Sequence, residues 1–184
     1  MSRVYKQVFA VAVAAAALVA YMQSPAAQEA KKEVKKEKAA LQKQDSKMMR
    51  DIAQADLAEV QAGKLAASKA SSAEVKKFAQ HMVDDHGKHL SEARAMAKTK
   101  GLQLPSAPAK KHQQAMKKLE SASGAEFDKV FMQQMVKDHE DGLKLVQNTA
   151  KNAKDPQLKA DAEKTAPVIE KHLEEAKRIA ASLK

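Results

Sequence analysis

From Ser71 to Lys100, apolar residues return every three or four positions: Val75, Phe78, Ala79, Met82, Val83, Leu90, Ala93, Met96 and Ala97. Only a helix keeps such a run on one face, because its period stacks residues three and four apart. The same periodicity governs the chain from Asp45 onward. Composition matters at one point: among 184 residues there are five Gly, five Pro, no Trp, two Tyr and four Phe. A sandwich or barrel needs turn residues every 8–12 positions or so. The chain is therefore expected to be all-α.

The spacing predicts four long helices. The first covers 46–69, with Ile52, Ala55, Glu59, Ala62 and Ala66 as its stripe. The second opens at Ser71, with Glu74 three residues on as a capping box, and stops before Gly101 and Pro105. A short helix follows at 108–120. The third long helix, 125–151, opens behind Ser123 and Glu126, and its stripe holds Phe127, Val130, Phe131, Met135, Leu143 and Val146. Asp155-Pro156 starts the fourth, which runs to Ser182; Pro167 inside it predicts a kink or break near 163–167. The expected architecture is an antiparallel four-helix bundle with a short extra helix between helices two and three.

Ahead of this domain, residues 1–27 have the layout of a secretory signal peptide. Arg3 and Lys6 form a basic head, Val8 to Met22 an apolar run, and Ser24, Ala26 and Ala27 a small-residue exit. The run falls short of the roughly 18–20 residues of a comfortable membrane span; an uncleaved N-terminal anchor is the alternative. Residues 28–44, QEAKKEVKKEKAALQKQ, read as a flexible or loosely helical charged spacer. The helical domain is expected over 45–183. A periplasmic or envelope location follows.

The absence of cysteine removes disulfides, thiolate metal sites and cysteine nucleophiles together. The formal charge of +10 invites a nucleic-acid reading. Single-strand binding also needs aromatic platforms. Beyond the leader only Phe78, Phe127 and Phe131 remain, so no nucleic-acid partner is expected. Anionic envelope components or a membrane surface suit the charge better. No phosphate loop, G-x-S-x-G elbow or H-E-x-x-H occurs, so an enzyme is the least supported class.

Helices two and three share a pattern. FAQHMVDDHGKHL (78–90) and FMQQMVKDHEDGL (131–143) agree at seven of thirteen positions. Core spacing accounts for the shared Phe, Met, Val and Leu, but not for an Asp-His pair in the same register. His86 and His139 each lie four residues after a Met and four before a Leu, on the apolar face. His172 lies four after Val168 and four before Ala176. Glu59 interrupts the first stripe. Four helices thus each place one polar group where the core should be, which is costly unless these groups meet. Two readings stay open. Glu59, His86, His139 and His172 hold one divalent transition metal ion (Zn, Fe, Mn or Cu), with Asp85 and Asp138 accepting from ring N–H groups; or they form a hydrogen-bonded cluster that fixes helix register. His81, His89 and His112 are expected to face solvent, and the methionines to fill the core.

The runs VKKFAQHMVDDHGKHLSEARAMAKTKGLQLP (75–105), FDKVFMQQMVKDHEDGLKLVQNTAKNAKDPQLKADAEKTAP (127–167) and VIEKHLEEAKRIA (168–180) resemble the bacterial exported family known as domain of unknown function 4142. The resemblance implies a ferritin-like four-helix bundle in the periplasm or envelope, of unassigned biochemical role. It also implies a helix-one Glu at Glu59 and helical histidines at His86, His139 and His172. A ferritin-type two-metal centre would need Glu-x-x-His. Val83, Val136 and Ile169 stand at those places, so that centre is not expected. Three function classes follow: a stress-associated envelope bundle, a single-metal storage or sequestration bundle, and a basic module binding anionic polymers or lipid.

Overall fold

The computed structural model describes residues 25–183. The segment read as a signal peptide lies outside the described residues, apart from its last three. Among the described residues there are five helices and no strand: α1 (Pro25–Lys69), α2 (Ala73–Thr99), α3 (Lys110–Ser121), α4 (Gly124–Asn152) and α5 (Pro156–Ser182). None is long and apolar enough to cross a membrane. The chain divides into two compact units, 1–43 and 44–184. In the first, the segment read as a spacer is helical, with Lys32, Glu33, Lys35, Lys36 and Lys43 exposed.

The second unit is built around an apolar core from all four long helices. Ala62 and Ala66 of α1, Phe78 and Met82 of α2, Phe131 and Met135 of α4, and Ala176 and Ile179 of α5 meet there, with Leu119 of α3 added. The α2 stripe is buried nearly as its spacing predicts; Val83 and Met96 stay half-buried. Gly63 is a point of close approach. A Cβ there would lie 2.9 Å from the Ala79 carbonyl oxygen and from Val83 Cγ2, so no larger residue lets α1 and α2 pack this tightly.

Two buried carboxylates tie the helix ends together. Asp128, near the start of α4, accepts from the backbone N–H groups of Ser71 and Ser72 at 3.0 and 2.7 Å. Asp45 of α1 accepts from those of Lys154 and Asp155, at 2.7 Å for the latter. The middle of α1, at Asp45, therefore meets the α4–α5 loop, and the start of α4 meets the α1–α2 loop. It follows that α1 and α4 are antiparallel, whereas α2 and α4 run the same way. The antiparallel expectation holds within each hairpin but fails for the consecutive long helices α2 and α4, because residues 100–123 carry the chain back along the molecule before α4 begins.

Local signals are displaced by small amounts. The α2 cap is Ser72, not Ser71, and its side chain accepts from Val75 N–H. Ser123 caps α4 without a side-chain bond. The end of α2 follows its sequence closely. Gly101 takes φ +65°, its N–H donates to the Lys98 carbonyl and that of Leu102 to Ala97, satisfying the last carbonyls. Asp155 accepts from Gln157 and Leu158 N–H, both at 3.0 Å, with Pro156 in the first turn. Pro167 does not break α5, which continues to Ser182; it sits exposed, where water can serve the freed carbonyl.

Candidate metal centre

His86 of α2, His139 of α4 and His172 of α5 are all buried. Their ring centroids are 5.5–5.6 Å apart. One ring nitrogen from each lies within 4.8 Å of the other two. The α2 and α4 rings share a level because those helices run in the same direction with the same Met-His-Leu spacing; α5 supplies the third from across the core.

Each ring is anchored through one nitrogen only. His139 Nδ1 donates to the Met135 carbonyl at 2.9 Å. A carbonyl can only accept, so the proton is on Nδ1 and the lone pair on Nε2. His86 Nδ1 donates to Asp56 Oδ1 at 2.9 Å, and His172 Nε2 donates to Asp85 Oδ2 at 3.0 Å. The opposite nitrogens, Nε2 of His86, Nε2 of His139 and Nδ1 of His172, are buried without a partner in the protein. Burial and the neighbouring His86 and His172 hold the His139 pKa down at about 3, against which the Met135 bond works weakly. Burial, then His86, also lowers that of His172, with Asp85 opposing. The lowering at His139 and His172 favours the neutral ring, the form that ligates metal.

Glu59 was grouped with the histidines by its stripe, and the structure places it behind them. Its Oε1 is 4.0 Å from His139 Nδ1, the nitrogen already given to Met135. It does not join the converging nitrogens. Its Oε2 is buried without a partner, and burial, then the charges of Asp138 and Asp56, raise its pKa well above the usual carboxylate range. Asp85 serves a ring, but that of His172 rather than its neighbour His86. Asp138, one residue before His139, is turned about 100° away. It accepts from Gln134 at 2.8 Å and lies 3.7 Å from His112.

Two participants escaped the sequence reading. Asp56 is buried between His86 and His89, accepting from His89 Nδ1 at 2.8 Å. Burial pushes the Asp56 pKa up, but the bonds and charges of the two histidines outweigh it and bring it down. His89, expected in solvent, is largely buried; Asp161 Oδ2 lies 3.2 Å and Thr165 Oγ1 3.3 Å from its Nε2. Burial alone would lower the His89 pKa, yet bonds to Asp161 and Asp56 lift it to about 10. It is a fixed imidazolium. His112 is likewise mostly covered, while His81 is exposed as expected. The overlooked signal was Asp56 four residues after Ile52 and three before Glu59, helical spacing within the first stripe.

Three imidazoles, each oriented by an acceptor on one nitrogen and open on the other, match the donor set of a nitrogen-ligated metal site. A search of curated proteins finds no match to the chain. Among solved structures it is similar to CopM in its Cu(II)-bound form, with a TM-score of 0.66 at 16% identity over 76% of this chain and 97% of that one. A putative secreted DUF305 protein from Streptomyces coelicolor gives 0.66 at 15% identity, covering 75% and 92%. The conserved hypothetical protein rv2844 from Mycobacterium tuberculosis gives 0.63 at 13%, covering 78% and 95%. At such identities the likeness shows a shared fold. A family model matches residues 25–179, and on that match the chain belongs to the family described as Domain of unknown function (DUF4142).

Proposed function

We propose that this chain is an exported, ferritin-like four-helix protein that holds one transition metal ion on His86, His139 and His172. The observation that carries the reading is the set of three buried, unpartnered ring nitrogens facing one another, each opposite a nitrogen anchored by an acceptor. Leaving three such atoms unpaired is costly in a core of this density, and one ion satisfies all three. Copper is the first choice of metal. Nitrogen donors bind Cu(II) above the other divalent first-row ions, and the similar fold of CopM is known in a Cu(II)-bound form. Storage or sequestration suits the site better than catalysis, because the adjoining chamber of about 30 Å³ admits a water or an ion and no organic substrate.

Equilibrium dialysis against Cu(II) and Zn(II), followed by elemental analysis, tests the reading. One ion per chain is expected for the wild type and none for the variant carrying His86→Ala, His139→Ala and His172→Ala. Equal metal in both would sink the proposal and leave a register-fixing cluster.

A further inference from the structure

The chamber beside the triad is lined by Asp56, Glu59, His86, His89, Asp138 and His139, among others. Its volume of about 30 Å³ accommodates one water or one bare ion. Glu59, which lines it, carries the buried and unpartnered Oε2. Between α1 and α4 a surface groove is lined by Asp51, Lys111, His112, Asp138 and Asp141. Groove and chamber share four lining residues: Ala55, Asp138, Gly142 and Leu145.

In a chain of formal charge +10 this groove gathers three carboxylates. Lys47 is bonded to Asp51 and Lys111 lies 3.7 Å from Asp141, so the cations sit on the outer two. Asp138, common to both spaces, accepts from Gln134 and lies 3.7 Å from His112, with no Lys or Arg paired to it among the described residues. The shared wall is thin at Gly142. A Cβ there would meet only Ile169 Cγ2, at an ordinary 3.9 Å. Glycine inside a helix costs about 0.5–1 kcal/mol relative to alanine, and at 142 it leaves the lining common to groove and chamber without a side chain.

We propose that Glu59 and Asp138 form a transit site for a divalent cation in this chamber, through which the ion passes from the groove to the histidine triad. The proposal rests on the triad being the metal site. An incoming hydrated ion would meet carboxylate oxygens first and imidazole nitrogens last, the order in which ligands suited to Cu(II) or Zn(II) improve.

Zn(II) uptake by the metal-free full-length chain, followed by stopped flow with a metallochromic indicator, provides the test. Asp138→Asn is expected to slow uptake about ten-fold, the scale of focusing by a charged cleft, with the final metal-to-protein ratio unchanged. Gly142→Leu, which adds bulk to the shared wall and touches no ligand, is expected to slow uptake in the same way. Gly142→Ala serves as the folded control and stays near the wild-type rate. Wild-type rates in both Asp138→Asn and Gly142→Leu would overturn the transit site while leaving the triad reading intact. A wild-type chain that takes up neither Zn(II) nor Cu(II) would overturn both. Should Gly142→Leu not fold, the Asp138→Asn rate decides.

Discussion

At the scale of single residues, His89 is where sequence and structure part most sharply. It lies three residues after His86 and seven after Met82, at the edge of the apolar stripe, so its own helix already allowed burial although solvent exposure was expected. What buries it comes from elsewhere: Asp56 on α1, and Asp161 and Thr165 on α5. The three triad histidines were legible because each lies four residues from apolar neighbours on its own helix. Asp56 was harder to see because it stands one position from Ala55, which was given the stripe and is only half-buried. The imidazolium leaves a testable trace. Its folded pKa of about 10 exceeds the ordinary 6.5, so the stability it contributes is full below pH 6.5 and is lost as pH rises from 6.5 towards 10. Glu59, also raised, is lost in the same direction from a lower starting point. Urea unfolding measured across that range should show stability falling in the wild type. The fall should be clearly smaller in His89→Gln; identical slopes would mean that the ring is not charged in the fold.

Elements end where side chains from other elements allow it, and this explains why the sequence located α2 but missed its cap by a residue. Ser71 and Glu74 have capping-box spacing, yet the N–H groups of Ser71 and Ser72 are both claimed by Asp128, far along the chain. Once that carboxylate fixes the backbone, Ser72 becomes the cap. Asp155-Pro156 was legible because its bonds are local, to Gln157 and Leu158. Pro167 misled because a proline removes one donor wherever it stands, but ends a helix only where tertiary packing does not hold it together. Loss of the Asp128 bonds should therefore matter more than loss of either serine hydroxyl. Two charge-assisted bonds make Asp128→Ala worth about 2–4 kcal/mol of unfolding free energy. Ser71→Ala should be nearly silent in the same urea titrations. Equal effects of the two substitutions would return the capping to the local serine motif.

Across the whole molecule, the two buried aspartates reveal an order that a helix-by-helix reading does not. Asp45 and Asp128, Ser71 and Lys154, Ser72 and Asp155, and His89 and His172 are all separated by the same number of residues, and the first three pairs play matching parts in the two loops. The hairpin α1–α2 is thus echoed by the hairpin α4–α5. Identity between them is sparse, which is why the eye is drawn instead to α2 and α4, whose shared motif reflects their common direction. In this echo His139 corresponds to Asp56 and His172 to His89. One half therefore presents open imidazoles and the other a closed carboxylate–imidazolium pair. The triad is completed by His86, the one ligand from the first hairpin. An ion bound there joins the two halves, and at a free concentration of a hundred times Kd it would stabilise the fold by about 2.7 kcal/mol. Amide hydrogen exchange can locate that gain. Zn(II) should slow exchange in α2 as well as in α4 and α5 of the wild-type chain. In His86→Ala the two remaining histidines both belong to the second hairpin, so any slowing should be confined to α4 and α5. Protection of α2 that survives His86→Ala would show that the ion does not bridge the hairpins through this ring.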